Sequence, residues 1–272
     1  MAKKKINRRG SGTATTSLDR LRVCVERILP DEIDTERTVR RTIRKMMLDG
    51  AGKKLSRAEQ AYHKRMAVVR SKKWETGQTL RCRFLHGDPA VQKKVESIAH
   101  KWEQHANIQF RFIDKGDAEI RIAFASGSSW SAVGRDALNR DYFPKYQPTM
   151  NFGWLDRDTE PDEYQRVVLH EFGHALGCLH EHQSPTFPYT WNEERVYAYF
   201  SGPPNYWTKK QIEQNVLRKY SPDGIAATKY DPKSIMLYVF DIELFSGKLA
   251  PTAQNCNSSK VDNLMMAELY PY

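Results

Sequence analysis

Long apolar runs are missing from this chain of 272 residues. Nowhere do about eighteen apolar residues follow one another, so no membrane-spanning helix is expected. An apolar core is missing near the N-terminus too. Residues 1–12 are basic and polar, which excludes a Sec-type leader there and sets the expectation of a cytoplasmic protein or one secreted without a leader. Cysteine is sparse: Cys24, Cys82, Cys178 and Cys256 are scattered. Four cysteines allow three pairings that spacing does not choose among, and without a leader reduced thiols are expected. No internal repeat is evident. No nucleic-acid recognition motif or interleaved aromatic pattern occurs, so nucleic acid is not expected as a partner. Nothing in the sequence specifies an oligomeric state.

Acidic residues are scarce at one end. Residues 1–75 hold 21 Lys+Arg against 9 Asp+Glu, whereas residues 76–272 hold 22 against 24, so the net charge of +10 sits on the N-terminal part. Two segments with different charge imply two functional parts. Residues 1–16 have no apolar period and read as a flexible basic tail. Residues 17–29 carry a helical stripe of Leu18, Leu21, Val25, Ile28 and Leu29, closed by Pro30. Asp34 or Thr35 can cap a second helix with Val39, Ile43, Met46 and Met47 on one face, and Ser56-Arg57-Ala58-Glu59 is a capping box for a third, running to about Arg70. Residues 17–75 therefore read as a small basic helical segment. Its basic faces are expected in solvent; the sharper readings are an inhibitory pro-segment or a docking module for an acidic partner.

The period changes at Leu80. Residues 80–85 alternate as a strand, Asp88 is placed to cap a helix over 90–105, and that helix would bury Val91, Val95, Ile98, Ala99 and Trp102. Residues 108–113 and 118–125 read as further strands, 126–136 as a Gly/Ser-rich loop, and 149–154 as another strand. Pro161 suits the first turn of a helix running to about Leu176. Asn192 can cap a helix over 193–200, and Thr208-Lys209-Lys210-Gln211 is a capping box opening a helix to about Tyr220. A closing helix over 259–270 would face Val261, Leu264, Met265 and Leu269 inward.

The chemistry concentrates in His170-Glu171-Phe172-Gly173-His174-Ala175-Leu176-Gly177-Cys178-Leu179-His180. Two histidines four apart on a helix project from one face, one turn apart, which suits two ligands of one tetrahedral Zn²⁺. Glu171 sits beside the first, within reach of a water on the metal. Gly177 is where a helix needs a left-handed residue in order to stop, and a chain turned back there can bring His180 round as a third ligand. Three protein ligands leave a fourth position for water, the catalytic rather than the structural arrangement. Cys178 is expected to be a small buried residue. His63, His86, His100 and His105 have no spaced partner and read as surface or helix-face residues. Cys24, in Leu21-Arg22-Val23-Cys24-Val25, does not resemble a known cysteine switch, which argues against a thiolate that blocks zinc.

The long histidine pattern, with Ser234-Ile235-Met236-Leu237-Tyr238 after Tyr230-Asp231-Pro232, resembles the metzincin zinc metallopeptidases. Within them it is similar to the astacin-like branch, which carries S-x-M-x-Y after Y-D and a Glu after the third His, here Glu181. The resemblance runs from about Leu80 to Tyr270. It implies an α+β fold of metzincin type: a twisted mixed sheet with an active-site helix and a Met turn, preceded by the helical N-terminal segment, with a catalytic domain over 76–272. It favours His180 over His182 as third ligand, giving one catalytic Zn²⁺ on His170, His174 and His180. It implies Glu171 as general base and acid in peptide hydrolysis, Tyr238 as donor to the oxyanion, and Met236 as a supporting thioether floor. Protein or peptide is the implied substrate, paired along a sheet edge. The family role of Glu181 is to pair with a newly cut N-terminus. Gly87-Asp88 matches the Gly-Asp pair of astacin pro-segments but lies between a strand and its helix, where an N-cap is expected. The alternative is a catalytically silent zinc-binding protein of this fold that works through its basic N-terminal helices.

Overall fold

The computed structural model describes residues 24, 25, 27, 72–203, 205–220, 229–247 and 250–272. The basic tail and the helices expected to start near Asp34 and Ser56 lie outside the described residues.

Among the described residues one five-stranded mixed sheet carries the fold. In chain order its strands are β1 Thr79–Phe84, β2 Gln109–Phe112, β3 Ile120–Ala123, β4 Trp130–Ser131 and β5 Met150–Asn151, and their spatial order is β2-β1-β3-β5-β4. The first three pairings are parallel; β4 joins β5 antiparallel, with Trp130 opposite Asn151, and forms the sheet edge. β1 keeps the alternation of its sequence, with Leu80 and Cys82 buried. β3 is buried on both faces and includes Arg121, whose guanidinium donates to the carbonyls of Gln147, Ala118 and Phe143 at 2.7–3.0 Å. Three backbone acceptors satisfy a cation that would otherwise be costly to bury. Burial still holds the pKa of Arg121 down at about 10.

Helix α1 (Pro89–Ala99) starts at Asp88, whose carboxylate accepts from Ala90 N at 2.7 Å, so this pair is a helix cap. The helix continues as a 3₁₀ turn over His100–Gln104, burying Val91, Val95, Ala99 and Trp102. It packs on α2 (Pro161–Ala175), the helix that carries the histidines. Beyond α2 come α3 (Glu193–Ser201, capped by Asn192) and α4 (Lys209–Ile212, with the Thr208–Gln211 capping box), which passes into a π turn over Glu213–Leu217, and last α5 (Lys260–Leu269).

Four expectations change. The edge strand β4 lies inside the stretch read as a Gly/Ser loop, because two residues are too few to show a period. In α5, Val261 and Leu264 are exposed while Asp262 and Met266 are buried. The Asp262 carboxylate wins the inward place by accepting from Ser234 Oγ (2.7 Å), Ile235 N (2.8 Å) and Ser259 N (2.8 Å). Trp74 and Lys72, on the far side of the boundary expected at residue 76, are packed into this unit: Trp74 Nε1 donates to Ala175 O at 2.7 Å and Lys72 pairs with Asp136 at 2.6 Å. Finally, Cys24, Val25 and Arg27 are extended rather than helical: Val25 N donates to Ser129 O at 3.0 Å and Arg27 bridges Ala132 in parallel. An open sheet edge offers unpaired backbone groups, and pairing with it outweighs a weak helical stripe.

Among the described residues two apolar clusters form the interior, one between the sheet, α1, α2 and α5, the other around α3, α4 and the aromatic residues between 187 and 245. The turn at Ser234–Tyr238 joins them: Met236 belongs to the first, Leu237 and Tyr238 to the second.

Candidate metal centre

Helix α2 delivers His170 and His174 from one face, as their spacing dictates. The helix stops in a Schellman turn. Gly177, at φ 102°, donates its N–H to His174 O (2.8 Å) and Cys178 N donates to Gly173 O (2.9 Å). The carbonyls left at the end of the helix are taken by Trp74 Nε1 on Ala175 O and by Tyr270 Oη on Leu176 O (2.7 Å). The reversed chain brings His180 back over the helix, its ring centroid 4.6 Å from that of His174 and 5.2 Å from that of His170.

Each imidazole is oriented from behind. Nδ1 of His170 bonds Ile235 O (2.8 Å), Nδ1 of His174 bonds Cys178 O (2.8 Å), and Nδ1 of His180 bonds Gln183 Oε1 (3.2 Å). The Gln183 amide is itself fixed, since its Nε2 donates to Gln214 O (2.7 Å) and Arg218 O (3.2 Å). With acceptors behind all three rings, the protons sit on Nδ1 and the Nε2 lone pairs face one another. Nε2 of His174 and His180 are 3.0 Å apart, and His170 Nε2 is buried with no hydrogen-bond partner among the described residues. Lone pairs so placed repel unless a cation lies between them, so the residues fit a metal ion. Burial pushes all three pKa values down, that of His174 to about 4 and those of His170 and His180 well below the ordinary imidazole value. Neutral imidazoles are the ligand form, and an outer acceptor on each Nδ1 is what metal-bound histidines show.

The fourth corner holds Cys24. One ligand atom each from Cys24, His170, His174 and His180 lies within 4.8 Å of all the others, and all four residues are buried. One sulfur and three imidazole nitrogens make a zinc set. The Cys24 thiol also donates to Glu171 Oε2 at 3.3 Å. Burial, opposed by the Cys24 bond and the Arg166 charge, pushes the Glu171 carboxyl up to about 8. Sequence reasoning set Cys24 aside because its neighbours match no known switch; contact across 147 positions leaves no local pattern to read.

Tyr238 stands over the cluster, its ring 4.3 Å from that of His180 and 5.7 Å from that of His170. Its hydroxyl donates a short hydrogen bond to the backbone carbonyl of Cys24. Met236 is buried beneath α2, and a Cβ at Gly173 would sit 2.6 Å from its Sδ. Gly173 is thus the residue that lets the thioether approach the helix, a role not read from the sequence. Asp262 braces this turn through Ser234 and Ile235. His182 is turned away from the cluster, its Nε2 on Asn215 O at 2.9 Å. Glu181 accepts from Asp231 N (2.9 Å) and burial lifts its pKa to about 7, so its carboxylate is engaged with the loop before the Met turn. Cys178 is buried, and none of the four cysteines is in a disulfide. His86 is exposed, and His100 and His105 are half-buried on or beside the first helical stretch; His63 lies outside the described residues.

Three comparisons bear on this geometry. The matrixin peptidase family model matches residues 73–196. The solved structure of myroilysin is 40% identical, matches over 75% of this chain and 98% of its own, and superposes with a TM-score of 0.71. Among curated proteins, matrix metalloproteinase-2 of Drosophila melanogaster is 26% identical over 121 residues, 38% of this chain and 16% of that protein. Rat (Rattus norvegicus) stromelysin-2 is 26% identical over 110 residues, 37% of this chain and 23% of that one. The chain therefore spans only about a fifth of the length of these curated relatives.

Proposed function

The chain belongs to the metzincin metallopeptidases, and we propose that it is a zinc-dependent metalloendopeptidase of astacin-like type held latent by its own Cys24. The observation that carries the proposal is the convergence of His170, His174, His180 and Cys24 beside the Glu171 carboxylate.

In this reading the Nε2 atoms of His170, His174 and His180 would hold one Zn²⁺, which would supply Lewis acidity for peptide hydrolysis. The chain does the rest. Glu171 Oε2 takes a proton at the position the Cys24 thiol occupies and passes it to the leaving amine. Tyr238 Oη, which donates to the Cys24 carbonyl, donates instead to the scissile carbonyl oxygen as charge develops there. The substrate backbone adds along the sheet edge at β4, where Val25 and Arg27 pair with the flanking Ser129 and Ala132. Retention of Glu171 and Tyr238 together argues against a silent zinc-binding fold.

The astacin-like assignment is supported by Tyr238 lying against His180 and by Glu181 holding Asp231 ahead of the Met turn. Latency is supported by the same contacts that catalysis needs, since the Cys24 thiol, its carbonyl and the backbone pairing of Val25 and Arg27 fill the metal, oxyanion and backbone positions together. The test is cleavage of an unfolded protein by the zinc-loaded chain bearing Cys24→Ala, beside the same chain with Glu171→Ala added. Cleavage by the first and none by the second supports the proposal. Zinc retention with no Glu171-dependent cleavage overturns it.

A further inference from the structure

The segment that fills the cleft also displays what a side-chain subsite beside the metal selects. Along an extended chain side chains alternate. Cys24 faces the histidines, while Val25 and Arg27 both line a neighbouring cavity of about 530 Å³. The Arg27 guanidinium carbon lies 3.6 Å from the centroid of the Trp130 ring, and that ring is stacked on Phe143 with centroids 6.4 Å apart and planes at 24°. Trp130 is a residue of the edge strand itself, paired through its backbone with Asn151. The strand that accepts an added peptide backbone therefore also fixes the position of the indole. Ser126, Ser128, Asn205 and Gln211 also line the cavity, and no carboxylate is among its described lining residues. A cation here is recognised by an aromatic face and uncharged polar groups, an arrangement that favours the planar, weakly hydrated guanidinium over the compact ammonium of lysine.

We propose that Trp130 is a specificity-determining residue, forming with this cavity a subsite for an arginine side chain within three residues of the scissile bond of a peptide substrate. This rests on the peptidase reading, and it names a substrate class that the metal centre alone does not. A substrate that runs antiparallel to β4 places the arginine on the N-terminal side of the cleaved bond; one that runs parallel, as Arg27 does on Ala132, places it on the C-terminal side. Arg27 lines the cavity and is itself exposed, so the preference is that of a partly solvated cation–π contact, about threefold or somewhat more in kcat/KM.

The test uses the full zinc-loaded chain with Cys24→Ser, and peptide sets carrying arginine, its uncharged isostere citrulline, lysine or glutamate at each of the three positions on either side of the bond. The expected result is one position at which arginine exceeds citrulline by about threefold or more, lysine falls between them and glutamate is poorest. In Trp130→Ala the arginine-to-citrulline ratio falls to about one, and in Trp130→Phe, which keeps an aromatic face, it is intermediate. A ratio taken within one variant does not depend on how much of that variant folds. Fluorescence anisotropy of the same peptides on the Cys24→Ser, Glu171→Ala chain reads binding without turnover. If nothing is cleaved but arginine peptides still bind in a Trp130-dependent way, the subsite stands and the peptidase reading falls. If no position favours arginine, or the preference survives in Trp130→Ala, the subsite is wrong.

Discussion

The phenol of Tyr238 donates to the backbone carbonyl of Cys24, 214 positions earlier in the chain. This one bond holds the Cys24 carbonyl on a phenol that lies against His180 and His170, the place where, in the peptidase reading, a substrate presents its own. The thiol of the same residue lies on Glu171. Cys24 thus engages both candidate catalytic side chains as well as the metal seat, and replacing it tests all three contacts together.

Cys24→Ala is expected to raise peptidase activity of the intact, zinc-loaded chain by on the order of tenfold or more. Each ~1.4 kcal/mol by which the thiol favours the closed state is a factor of ten. The measurement is initial rate on a quenched-fluorescence peptide, wild type beside variant. Equal rates would remove the latent role of Cys24.

In the Cys24→Ala background, Glu171→Gln is expected to keep zinc and lose about 10²- to 10⁴-fold in kcat/KM, the usual worth of a positioned acid and base. Tyr238→Phe keeps the ring against His180 and loses only the donor. Its expected cost is about 10²- to 10³-fold, falling on kcat more than on KM because the bond strengthens as the oxyanion forms. Zinc content measured alongside separates lost chemistry from lost metal.

His182 gives the metal-free chain a readable pH dependence. Burial lowers its pKa to about 3, against an ordinary value near 6.5. Above about pH 6.5 it is neutral both folded and unfolded and contributes no slope. As the pH falls from about 6.5 towards 3, the unfolded chain takes up a proton that the folded chain refuses, so stability is lost at up to about 1.4 kcal/mol per pH unit. His182→Phe, whose ring suits the aromatic surroundings of Tyr238, Trp191 and Phe240, is expected to make the stability curve shallower by one proton in that window. Urea unfolding at pH 7, 6, 5 and 4 checks it.

Gly173→Ala is expected to destabilise by about 1–3 kcal/mol, the cost of overpacking. Its new methyl would meet Met236 Sδ, itself buried at 2% exposure. Because the same turn presents Ile235 O to His170, zinc affinity should fall together with the melting temperature. A loss of stability with zinc affinity unchanged would show that the thioether does not support the metal seat.

What was legible in the sequence was local. The four-residue histidine spacing, the glycine stop, and the caps at Asp88, Asn192 and Thr208 depend on atoms a few positions apart, and the observed bonds are the ones their side chains can make. The α5 face was misread because an apolar stripe says nothing of a carboxylate needed by a distant turn. Edge strand β4 was missed because two residues carry no period. Cys24 was missed because its partners are spread from His170 to Tyr238, and only the folded chain brings them together.

The most direct measurement is X-ray absorption at the zinc edge of the intact chain and of Cys24→Ala. The expected result for the intact chain is three nitrogen ligands at about 2.0–2.1 Å and one sulfur at about 2.3 Å, with the sulfur replaced by oxygen in the variant. A spectrum without sulfur in the intact chain, or with fewer than three imidazole ligands in either, would contradict the proposed metal centre and its latency.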